Sequence, residues 1–125
     1  MTAEDTLQSH CCKILDLMQL PYFSIPNGAN KASYAARATF KATGLKPGVP
    51  DLFVCKPIFK PFYHKCGLFI EIKTEKGVVS VEQRKWLKAL EELGYFCRVV
   101  RSTKALEALL LECYPDHAKK FKHLK

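Results

Sequence analysis

Between Gly67 and Val100 the chain reads "GLFIEIK", a turn, a capped amphipathic helix, and then "YFCRVV". No other stretch restricts the possible folds as much. "GLFIEIK" has strand composition, and "TEKG" turns the chain after it. Ser80 then opens a helix through the S-x-x-Q pattern of a capping box with Gln83. Trp86, Leu87, Leu90 and Leu93 form its apolar stripe and Gly94 ends it. Two strands joined by a helix of this length predict a parallel, right-handed βαβ crossover, hence a sheet with helices packed against it.

The rest of the chain adds elements to that unit. A helix is expected from about Ala3 to Gln19, with Leu7, Cys11, Ile14, Leu15 and Met18 on one face and Thr2 or Asp5 as its cap. Pro21 breaks it, and "YFSI" before Pro26 is a short strand. "KASYAARATFKAT" reads as a second helix stopped at Gly44 and made basic by Lys31, Arg37 and Lys41. "LKPGVPD" is a turn centred on Pro47-Gly48, with Pro50 holding Val49 extended. "DLFVC" follows as a strand and "KPIFKPFYHKC" as a hairpin connection. Ser102 caps a last helix through Tyr114, carrying Leu106, Leu109, Leu110 and Cys113. Pro115 stops that helix, leaving a short basic tail from about residue 115. The expectation is one α/β domain over residues 1–125, with a central mixed sheet flanked by helices.

Composition narrows the function classes. No apolar run approaches the roughly 20 residues of a membrane span. The acidic start "MTAEDTLQ" lacks the basic and apolar regions of a signal peptide, so a cytoplasmic protein is expected. Six cysteines in no C-x-x-C arrangement then read as reduced thiols, most of them inside elements. Cys55, His64 and Cys66 lack a fourth ligand at zinc spacing. The net charge of +8 is concentrated: from Asn27 to Ile70, seven lysines and arginines face a single acidic residue, Asp51. Aromatics interleave with that charge, which favours nucleic acid over a membrane surface as partner.

The lone Asp51 therefore needs an explanation, as does Glu71 at the end of "GLFIEIK". Side chains alternate along a strand, so Glu71 and Lys73 share one face and Ile70 and Ile72 the other. Antiparallel pairing of "DLFVC" with "GLFIEIK" would bring Asp51 beside Glu71. Two close carboxylates repel unless a cation lies between them, and Mg²⁺ takes one or two carboxylates plus waters and phosphate oxygens. Lys73 on the same face would orient or activate a water, or stabilise the developing phosphorane. The bland alternative is a surface Glu–Lys pair and a turn-ending Asp. An interior strand has no obvious place for it.

Pro50-Asp51 followed by Glu71-Ile72-Lys73 is the signature of the PD-(D/E)XK nuclease superfamily. More specifically, "GLKPGVPDLFV", "GLFIEIKTEKGVVSVEQRKWL" and "GYFCRVVRS" resemble the VRR-NUC domain, the virus-type replication–repair nuclease, over residues 3 to 112 or so. The resemblance implies a restriction endonuclease-like core ordered αβββαβ, with the basic helix as an insertion. It implies Mg²⁺ or Mn²⁺ held by Asp51, Glu71 and the Ile72 carbonyl, with Lys73 as the catalytic lysine and Gln83 near the site. Gln83 equally fills the third position of the capping box. Glu4 or Gln8 could contribute from the first helix, although Glu4 also reads as a helix-dipole partner. Asn27, Arg37, Lys41 and Lys46 are candidates for the phosphate backbone, the alternative being solvated side chains. Trp86 reads as core.

The activity so implied is a structure-selective endodeoxyribonuclease, dimeric and resolving Holliday junctions, in a bacterial cytoplasm or a host's if phage-encoded. Alternatives are a flap or restriction-type nuclease, a non-catalytic basic DNA-binding module and a thiol-dependent enzyme. Neither a membrane nor a small-molecule cofactor is expected.

Overall fold

A computed structural model describes residues 1–26 and 33–124, with side chains through residue 120. The elements run α1 (Ala3–Leu17), β1 (Tyr22–Ser24), α2 (Tyr34–Ala42), β2 (Leu52–Val54), β3 (Ile58–Phe59), β4 (His64–Lys65), β5 (Leu68–Ile72), α3 (Val81–Glu92), β6 (Phe96–Val100), α4 (Thr103–Cys113) and α5 (Pro115–Leu124). Four strands form a mixed sheet in the order β1-β2-β5-β6. β1 and β5 both run antiparallel to β2, while β5 and β6 are parallel, the pairing expected of the βαβ unit. This is the α/β, nuclease-like architecture expected from the sequence.

Alternation along the strands separates the two faces of the sheet. Leu52, Val54, Leu68, Ile70 and Ile72 are at most 1% exposed and meet Cys11, Ile14 and Leu15 of α1 and Leu106 and Leu110 of α4. Each fully buried aliphatic side chain contributes about 1.5–3 kcal/mol, so this layer anchors the sheet. The opposite face carries Phe53, Phe69 and Tyr95, whose ring centroids lie 4.3–5.8 Å apart, together with Glu71 and Lys73. Helix α3 lies on this second face.

Caps set the helix boundaries. Thr2 caps α1 and forms a reciprocal box with Asp5, both bonds at 3.0 Å. α1 stops at Leu17, two residues short of the expectation, because Gln19 turns left-handed at φ 57° ahead of Pro21. Ser80 and Gln83 cap α3 as expected. Leu93 does not join the apolar stripe. It is the C-cap residue of α3 and 71% exposed. The segment from Pro115, expected as a tail, is a helix. Proline suits a first helical position, where no N–H is needed, so the residue that ends α4 also starts α5. Tyr114 and Ala118 dock that corner into the core.

Two insertions leave the sheet. The hairpin expected between β2 and β5 is paired as β3–β4, Ile58 opposite Lys65 and Phe59 opposite His64. Helix α2 buries none of its residues. No helix among the described residues is long and apolar enough to cross a membrane.

Candidate metal centre

Leu52 of β2 pairs with Ile70 of β5, and continuing that register one step sets Asp51 opposite Glu71. The Asp51 backbone is tied on both sides. Its N–H donates to the Ile70 carbonyl at 3.0 Å, and its carbonyl accepts from Ile25 at 2.8 Å. The carboxylate turns inward, its Oδ2 accepting the Ile72 N–H at 2.7 Å. The turn that delivers Asp51 is clamped against α3. Gly48 has φ +85°, and a Cβ there would lie 2.7 Å from the backbone of Glu82. Trp86, expected as core, is only half-buried, and its indole N–H donates to the Pro47 carbonyl at 3.1 Å. That clamp escaped sequence reasoning; the glycine between Pro47 and Val49 was its visible trace.

A third carboxylate arrives from Glu4 in the first turn of α1. Glu4, Asp51 and Glu71 each present an oxygen within 4.8 Å of the others, the only such cluster of metal-ligating side chains among the described residues. Cys55, His64 and Cys66 form none. Gln8 lines a neighbouring cleft of about 630 Å³ that also borders Glu4 and Asp51.

Glu71 is the unusual member. It is 1% exposed, which sets aside a surface Glu–Lys pair. Its carboxyl is pushed up to about 9, first by burial and then by the neighbouring Asp51, with Glu4 adding and Lys73 opposing. Its Oε2 accepts from the Gln83 amide at 3.1 Å, while the buried Oε1 meets no donor among the described residues; in the metal-free protein a proton held by Glu71 is shared with the Asp51 carboxylate. A buried carboxylate oxygen lacking a donor is costly unless a cation meets it.

The donor set fits a hard divalent ion, which takes oxygen ligands. Backbone geometry supplies a further oxygen. The Lys73 N–H donates to Val100 of β6 at 3.0 Å, so the Ile72 carbonyl, opposite it in a trans peptide, points away from β6. The Ile72 N–H already reaches Asp51 on that side, so both of its polar groups face the carboxylates.

Gln83 serves both of its expected places at once. Its side-chain oxygen accepts from the Ser80 N–H at 2.8 Å, and its NH₂ holds Glu71. Lys73, 9% exposed, lines a cleft of about 810 Å³ with Asp51, Glu71 and Gln83. Arg37, Lys41 and Lys46 line the same cleft. Asn27, the remaining phosphate-backbone candidate, lies outside the described residues. All six cysteines are unpaired. Burial pushes Cys11 up to about 11, and Cys97 and Cys113 up to about 12, which leaves these thiols protonated and poor nucleophiles at neutral pH.

The VRR-NUC domain family matches the chain over residues 4–104. A comparison with curated proteins gives no match. Among solved structures, a VRR_NUC domain protein is similar at 21% identity and a TM-score of 0.68, over 92% of this chain and 90% of that one. At that identity the likeness bears on the fold. A match spanning most of the sequence, over residues that include the carboxylates of the cleft, makes this chain a member of the VRR-NUC nuclease family.

Proposed function

We propose that this chain is a metal-dependent endodeoxyribonuclease that hydrolyses phosphodiesters in branched DNA. The observation that carries the reading is the convergence of Glu4, Asp51 and Glu71 around a buried carboxylate oxygen that meets no donor among the described residues, with Lys73 and three further cations in one cleft. Glu4, Asp51, Glu71 and the Ile72 carbonyl would hold Mg²⁺ or Mn²⁺. Such an ion, when bound, neutralises charge on the scissile phosphate and makes a water more acidic.

The chain's own groups do the rest. Lys73 donates hydrogen bonds to the attacking water or to a non-bridging phosphate oxygen, where negative charge grows in the transition state. Gln83 holds the Glu71 carboxyl in place. Arg37, Lys41 and Lys46 bind flanking phosphates, which positions the strand without reading its sequence.

One centre cuts one strand. Paired incisions across a four-way junction therefore call for two copies, and a homodimeric Holliday junction resolvase is the specific form of the reading. This finer step rests on likeness to the family. The test is a panel of labelled duplex, flap and four-way junction DNAs, each with Mg²⁺, with Mn²⁺ and with EDTA, at one salt concentration. The reading expects metal-dependent cuts near the junction centre, abolished by Asp51→Ala with DNA binding retained. Preferential cutting of flaps would replace the junction assignment. An Asp51→Ala protein that cuts like the parent would overturn the site.

A further inference from the structure

The β3–β4 hairpin takes no part in the metal centre. It joins the ends of β2 and β5 where Val54 pairs with Leu68, and Asp51 and Glu71 flank the other end of the same strand pair. Its root is fixed. Ile58 is fully buried, the Tyr114 hydroxyl donates to the Lys56 carbonyl at 2.7 Å, and Lys60 Nζ donates to the Glu112 carbonyl. Beyond that root the aromatic side chains face solvent. Phe59 is 72% exposed and Phe62 is 98% exposed. Across the strand pair the Phe59 ring lies flat on His64, centroids 4.9 Å apart and planes 13° from parallel.

Rings held out on an anchored hairpin point to a partner that covers them, and charge says which kind. No acidic residue occurs from Leu52 to Ile70, while the hairpin brings Lys56, Lys60 and Lys65. Lys65 faces Glu91 at 3.9 Å, and Asp116 and Glu112 belong to the adjoining α4–α5 corner. The same corner adds exposed Lys119 and Lys120, and His117 of α5 contacts Lys56 at 2.8 Å. A second copy of this hairpin would bring like charge to like charge. Each hairpin lysine already touches a group of its own chain, yet the patch keeps an excess of positive charge that an apolar protein surface would leave unbalanced. DNA answers both, with phosphates for the ammonium groups and base faces for the rings.

We propose that the β3–β4 hairpin is a second DNA contact, in which Phe62 and the Phe59–His64 stack pack against bases unstacked at a branch point. The proposal deepens the nuclease reading and rests on DNA being its substrate. The span from Asp51 to Phe62 is at most roughly 40 Å along an extended chain, about twelve base-pair steps of 3.4 Å, so one arm can reach both places. In this arrangement the hairpin, rather than the carboxylates, selects branched over continuous duplex.

The test measures binding in EDTA, where nothing is cut. Wild type, Phe62→Ala and a Phe59→Ala/Phe62→Ala double variant are titrated into a four-way DNA junction carrying 2-aminopurine at its centre, and into a duplex of equal length. Both rings are exposed, so thermal unfolding should be unchanged and serves as the folding control. The proposal expects wild type to change the 2-aminopurine fluorescence. It expects Phe62→Ala to remove that change and to weaken junction binding by about tenfold, with duplex binding altered less than about twofold. Equal junction binding by wild type and both variants would overturn it, as would an equal loss on duplex. A dimer lost on substitution, seen by light scattering, would assign the rings to a second copy instead. Metal-dependent cleavage of the same junction is scored separately. Hairpin-dependent binding without cleavage would sink the nuclease reading alone, and cleavage with hairpin-independent binding would sink this proposal alone.

Discussion

The metal-free protein should lose stability as pH rises through neutrality, and Glu71 should be the cause. Its carboxyl moves from an ordinary value of 4.5 to about 9. Between those values the native chain carries a proton that the unfolded chain has released, so raising the pH favours unfolding. The contribution is whole below about pH 4.5 and lost as pH passes about 9. One such group gives a slope of at most about 1.4 kcal/mol per pH unit. From pH 6 to 8 the ceiling is about 3 kcal/mol, or about 10 °C in melting temperature for a chain of this length. Glu71→Gln keeps the shape and removes the titration. The assay is thermal unfolding by circular dichroism in EDTA, wild type against variant, read as their difference so that histidine titration cancels. The variant should melt higher at pH 8 and show the flatter profile, and Mn²⁺ should stabilise wild type but not the variant. Parallel profiles for the two proteins would refute the claim that burial keeps Glu71 neutral.

Other substitutions separate roles that coincide in one side chain. Gln83→Ala should cost about 1 kcal/mol by removing the cap acceptor and should cut cleavage at least about tenfold. Gln83→Glu keeps the box but loses the donor to Glu71, so cleavage should fall while the melting temperature holds at low pH. Gly48→Ala meets both a positive φ and the Glu82 backbone. It should lower stability by about 2 kcal/mol or more in a denaturant titration and reduce cleavage through Asp51. Lys41→Ala and Lys46→Ala should each weaken binding regardless of DNA sequence and lower the salt dependence of log K by about one unit. Helix α2 buries no residue, and nine residues are marginal as an isolated helix in water. Its amides should exchange fast in free protein and slow on adding DNA with metal.

Local patterns made much of this legible. The apolar strand at Leu68–Ile72 and the Ser80–Gln83 box lie close together in the chain, and both appear where the sequence places them. The approach of Asp51 to Glu71 followed from antiparallel register alone. What stayed hidden depends on contacts between distant segments. Glu4 was one of two candidates on the first helix, and only the seating of α1 beside the sheet brings its carboxylate to Asp51 and Glu71. The bond from Trp86 to Pro47 joins residues 39 apart across four strands, and no spacing rule encodes it. α5 was hidden for another reason: Pro115 is read equally well as a stop or as a start, and burial of Tyr114 and Ala118 decides between them.

The most direct measurement is a calorimetric titration of Mn²⁺ into wild type and Asp51→Asn, without DNA. Wild type should show a specific site with affinity rising with pH below about 9, because binding must displace the Glu71 proton. The variant should lose about 100-fold in affinity, since even residues that only support ligands are worth about 10–100-fold. Uptake of Mn²⁺ by Asp51→Asn at wild-type affinity would contradict a metal site built on Asp51.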